Sequence, residues 1–69
     1  MTYRFSFMVN DGLTRTESYM EEGTGDAEVQ TRIEAELARR YPRDLVTLLE
    51  IENTETYTRV YTNRAYLDE

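Results

Sequence analysis

The stretch TYRFSFMVNDGLTRTESYM, residues 2–20, decides how the rest of the chain must fold. Its first half alternates. Tyr3, Phe5, Phe7 and Val9 fall on one side of an extended chain, and Arg4, Ser6 and Met8 on the other. A period of two marks a strand with one buried face. Asn10-Asp11-Gly12 breaks the pattern, and Asp-Gly between extended runs signals a hairpin, because both residues tolerate positive φ. The return strand, Leu13 to Met20, is rich in Thr and Ser and polar at most positions, which suits a sheet edge. With a two-residue loop, Arg15 and Tyr19 would join Arg4 and Met8 on the face turned away from the core.

Working outward, Glu21 to Gly25 is a connection, and Thr24 or Asp26 is placed to cap a helix. Ala27 to Arg40 reads as that helix. Val29, Ile33, Leu37 and Tyr41 recur every four residues and form one apolar stripe. Pro42 stops it, since the residue before a proline resists the α region. Arg39, Arg40 and Arg43 lie where the helix dipole favours cations. Leu45 to Glu52 is the most apolar strand, Asn53-Thr54-Glu55 a turn, and Thr56 to Thr62 a fourth strand rich in β-branched and aromatic residues. Asn63 to Glu69 is a short tail that extends the strand or lies across the sheet.

The order ββαββ makes strand three antiparallel to strand one. Pairing those two gives a four-stranded antiparallel sheet in the order 2-1-3-4. The apolar strands are then central and the Thr-rich strands at the edges. The expected fold is α+β, one domain over residues 1–69. One helix packs Val29, Ile33 and Leu37 against Phe5, Phe7, Val9, Leu49 and Ile51, and the other sheet face carries no helix.

Composition excludes much chemistry. The 69 residues contain no Cys and no His, so disulfides, thiolate and imidazole catalysis and zinc fingers are absent. All eight basic residues are Arg, and there is no Lys to serve as a base. Glu21, Glu22, Asp26 and Glu28 lack the spacing of a calcium loop, and Gly23-Thr24-Gly25 is followed by no Lys. The expectation is a chain with no cofactor, no metal and no enzymatic activity. No apolar run approaches the roughly 20 residues that cross a bilayer, and the N-terminus reads as a strand, which together predict a cytoplasmic protein. So small a core often needs a partner chain, and a homodimer is one expectation.

The net charge is −6, concentrated in residues 17–36, where seven carboxylates face Arg32 alone. That disfavours nucleic acid, which needs a basic footprint. It suits either a solvated face or a patch for a basic protein partner, with Glu17, Glu21, Glu22, Asp26 and Glu28 as the steering charges. On the fourth strand, alternation places Val60 on the core side and Tyr57, Arg59 and Tyr61 on the open face. With Tyr66 these would supply contact area, because Tyr and Arg are enriched at binding hot spots. A cross-strand ladder is the plainer role for them. An aromatic sheet face could also stack single-stranded RNA, against the sign of the net charge.

In length, net acidity, lack of His and Cys and the layout TYRFSFMVNDGLTRTESYM, DAEVQTRIEAELARRYP, LVTLLEIENTETYTRVYT, the chain resembles the small acidic proteins that phages and mobile elements encode as inhibitors of host defence, the anti-CRISPR proteins among them. The resemblance implies a stoichiometric inhibitor that occludes a nucleic-acid-binding or docking surface of a host protein, without catalysis. It carries over no individual residue.

Overall fold

The computed structural model describes residues 1–66, without the side chain of Tyr66. The tail beyond Tyr66 lies outside the described residues. The elements follow the order β1 (Thr2–Asn10), β2 (Thr14–Glu22), α1 (Asp26–Arg40), a 3-10 turn (Arg43–Leu45), β3 (Val46–Asn53), β4 (Thr58–Thr62) and a second 3-10 turn (Arg64–Tyr66). The strands form one antiparallel sheet in the order β2-β1-β3-β4. This is the α+β fold expected from the sequence, with the helix over one face.

The alternation in β1 holds throughout. Tyr3, Phe5, Phe7 and Val9 are all buried, and each fully buried apolar side chain contributes roughly 1.5–3 kcal/mol. From α1 the stripe Val29, Ile33 and Leu37 meets them, and β3 adds Leu48 and Ile51. Leu48, not the expected Leu49, fills the core. The β1–β3 register slips between Ser6 and Phe7, so Phe7 pairs with Leu48 while Ser6 pairs with Glu50. A bulge of one extra residue moves the inward position by one.

A second slip lies between β3 and β4. Ile51 pairs with Tyr61 but Glu52 pairs with Arg59, which leaves Val60 as the extra residue. The hairpin β1–β2, in contrast, pairs without interruption from Thr2↔Glu22 to Asn10↔Thr14. Its loop is therefore Asp11-Gly12-Leu13, three residues where two were expected, with Gly12 at φ 117.

Neither Thr24 nor Asp26 caps α1. The N-cap is Gly25, with extended backbone, and its carbonyl accepts from Glu28 N–H (3.2 Å) and Val29 N–H (3.1 Å). Thr24 donates instead to the Glu28 carboxylate at 2.6 Å, and the Asp26 side chain turns inward. Gly23 is buried, and a Cβ there would sit 3.0 Å from Tyr3 Cε1 and 3.1 Å from Val29 Cγ2, so any side chain would require these two core residues to give by a few tenths of an ångström. At the other end Tyr41 N–H closes the helix on Leu37 C=O, Pro42 follows, and the Tyr41 ring packs 5.7 Å from Phe7.

Candidate functional site

The face of the sheet away from α1 is formed by Thr2, Arg4, Ser6 and Met8 of β1 with their partners on β2 and β3. Its polar groups answer one another. Arg4 pairs with Glu52 at 2.5 Å, Arg59 lies 3.8 Å from Glu50, Ser6 and Ser18 share a 2.9 Å hydrogen bond, and Thr2 donates to Glu22. Met8 and the exposed Met20 are its apolar members. It is a ladder of cross-strand polar pairs, built from Arg, Glu, Ser and Thr and not from the tyrosines expected there.

The expected row of Tyr57, Arg59 and Tyr61 does not form. Arg59 is on the open face, opposite Glu52. Tyr61 is on the helix side, opposite the buried Ile51, because the Val60 bulge carries it across; both Val60 and Tyr61 pack against the core. There Tyr61 borders an open groove of about 440 Å³ lined also by Leu37, Val46, Leu48 and Asn63 and by the charged Glu34 and Arg43. Tyr57 belongs to neither face. It ends the turn before β4 with φ 58 and is 84% exposed. Tyr66 closes the second 3-10 turn.

Arg15 and Tyr19 are also on the helix side, since the three-residue loop reverses the parity of β2. Phe5 opposes Tyr19 and Val9 opposes Arg15. Tyr19 stacks on Phe7 with ring centres 5.7 Å apart, and the Arg40 guanidinium lies 5.7 Å above its ring centre. Glu17, offered by the sequence as a steering charge, accepts from Tyr19 Oη–H at 2.6 Å and from Arg15 Nε–H at 2.8 Å. These bonds, Tyr19 first, hold its carboxyl below the usual range, and the same Glu17 raises the Tyr19 phenol. Glu21 accepts from Arg32 of α1 at 2.8 Å, which raises the Arg32 guanidinium further. Glu17 and Glu21 thus tie the edge strand to itself and to the helix.

The remaining acidic residues converge. β1 begins, β2 ends, α1 begins and the β3–β4 turn passes at one end of the molecule. Glu22 and Glu55 lie 3.9 and 4.0 Å from the Met1 amino nitrogen, and Glu55 also accepts from Thr2 N–H at 2.8 Å. Asp26 Oδ1 accepts from Tyr3 Oη–H (2.7 Å) and Asn53 Nδ2–H (3.1 Å). The Tyr3 phenol is pushed up to about 12 by that hydrogen bond first, then by burial and by the negative charge of Asp26, Glu55 and Glu28. Asn53 Oδ1 accepts from Glu55 N–H and Thr56 N–H, so the buried Asn53 shapes the turn that presents Tyr57. Of the nine residues singled out by sequence, Glu22, Asp26, Glu28 and Tyr57 gather here. Glu55 joins them; its place in the turn two residues before Tyr57 was the available signal.

Among the described residues no three carboxylates are grouped so as to hold a metal ion, and no helix is long and apolar enough to cross a membrane. No family model, curated protein or solved structure matches the chain.

Proposed function

We propose that the chain is a protein-binding module that docks through its acidic end, with Tyr57 as the anchor. The observation that carries this reading is that Glu22, Glu28 and Glu55 gather around Met1 and Tyr3, while Tyr57, 84% exposed and held at φ 58, lies two residues beyond Glu55 in the same turn. A non-glycine residue held in left-handed backbone costs free energy and such positions cluster at functional sites, and Tyr is a preferred hot-spot residue. Carboxylates around it steer a basic surface towards the ring and raise the association rate. The partner class is a protein with a basic surface. A nucleic-acid-binding host or defence complex, blocked stoichiometrically without catalysis, fits the charge and remains the specific form of the proposal.

Affinity purification from the host with the whole chain as bait is the first experiment. Against the recovered partner, Tyr57→Ala is expected to weaken binding by about tenfold or more through faster dissociation. Reversing Glu22, Glu28 and Glu55 together to Arg should slow association and flatten its salt dependence. A stoichiometric partner whose affinity ignores both variants would overturn the reading.

A further inference from the structure

We propose that β2 is a self-recognition edge: two copies of the chain pair their β2 strands antiparallel about a two-fold axis at Ser18, with a continuous sheet and both helices on the same side. Three observations carry this. The first is the contrast between the two edges. β4 has five residues and a bulge at Val60, which blunts it for pairing. β2 has nine residues, no register slip, no Pro and no Lys. A long edge strand with neither bulge nor Pro is a template for another strand, and the charges it carries, Arg15, Glu17, Glu21 and Glu22, then decide which register it accepts.

The second is the direction of the backbone groups. Met1 and Gly23 exchange both backbone hydrogen bonds at 2.9 Å, which makes them a hydrogen-bonded pair. Thr2 turns its N–H and C=O the other way, to Glu55 and Thr54. Alternation along the unbroken ladder then aims the N–H and C=O of Thr14, Thr16, Ser18, Met20 and Glu22 outward from the sheet. With a two-fold axis at Ser18, these outward residues meet outward residues.

The third is charge. The axis at Ser18 overlaps all nine residues of β2. It sets Arg15 opposite Glu21 of the second copy, twice by symmetry, and Glu17 opposite Tyr19. These are non-hydrogen-bonded positions, where facing side chains are closest. Moving the axis by one residue towards Glu17 sets Glu17 against its own copy; moving it towards Tyr19 sets Glu17 against Glu21. Full overlap and charge agreement therefore select the same register. Arg15, 43% exposed at the side chain and paired with Asp11 and Glu17, and Glu21, beside Arg32, would join those pairs into one network across the two copies.

This edge shares only Glu22 with the acidic end, and its test varies Arg15, Ser18 and Glu21 and needs no other protein, so it and the docking reading stand or fall separately. Sedimentation equilibrium of the whole chain is expected to show a reversible monomer–dimer equilibrium between micromolar and millimolar protein. Ser18→Pro removes an outward N–H and leaves the β1 ladder intact, since an edge strand tolerates Pro with its nitrogen facing solvent; it should abolish the dimer while circular dichroism shows a folded chain. Arg15→Glu and Glu21→Arg should each weaken self-association by at least about tenfold. Mixed together, the two variants oppose unlike charges at both positions and should form a heterodimer. In the unmodified chain, amide exchange at Thr16, Ser18 and Met20 should slow with concentration, while Glu17 and Tyr19 amides are protected at every dilution. A monomer at all concentrations, a dimer that survives Ser18→Pro, no recovery on mixing, or concentration-independent exchange at those three amides would each sink the proposal.

Discussion

At the scale of single residues, Asp26 and its two donors link the helix start to the β3–β4 turn. A carboxylate in the first helical turn is ordinary dipole chemistry, and the sequence offers it as such. Its second role needs Tyr3 and Asn53, and Asn53 is 27 positions away along the chain. Local pattern therefore reads Asn53 as a turn residue and says nothing of its burial. Tyr3 was legible as core from the alternation, but not the partner of its hydroxyl. The pH dependence of stability follows with a definite sign. The Tyr3 phenol titrates near 12 in the folded chain against 10 when unfolded, so above pH 10 the unfolded chain loses its proton first and is favoured. Stability from this group is complete below pH 10 and falls between pH 10 and 12. Tyr3→Phe should lower the melting temperature by several degrees at neutral pH and narrow its gap to the unmodified chain across that window. A gap that stays constant from neutral pH to pH 12 would show that the hydroxyl is not held by Asp26.

At the scale of elements, the kinds and order of strands and helix were readable and the facing of their ends was not. β1 pairs a strict alternation with a regular ladder, and every inward residue was identified. In β3 and β4 a single extra residue separates pattern from facing. Leu48 and Leu49 are the same residue, so nothing local distinguishes the inward member, and after the bulge Val60 and Tyr61 both pack against the core. In β2 the parity depends on one loop residue, Leu13, and a polar strand offers no hydrophobic row to correct the count. The β3–β4 turn carries its own test. Tyr57 occupies left-handed backbone, which costs an L-residue with a side chain about 1–2 kcal/mol. Tyr57→Gly should therefore raise stability by up to about 1 kcal/mol in denaturant titration while removing the proposed docking anchor. A loss of stability would mean that the ring itself holds the turn.

At the scale of the whole molecule, the strand order followed from composition: apolar strands inside, Thr-rich strands outside, one helix for one face. The described residues measure 35 × 31 × 16 Å, a thin slab in which sheet face and sheet edge make up much of the surface. Charge was legible as an excess but not as a layout. Glu17 is bound within β2 and Glu21 to Arg32 of α1, while Glu22, Glu28 and Glu55 share one end, and that sorting depends on which way each strand turns its side chains. Pairing through β2 couples stability to concentration, because a dimer favours the folded chain by mass action. The melting temperature should rise with protein concentration in the unmodified chain and stay flat in Ser18→Pro. The bulge at Val60 then acquires a meaning for assembly. A sheet with two serviceable edges has a valence of two and grows into a ribbon. Val60 takes one edge out of use, so each copy has a valence of one, and growth ends when two copies have met.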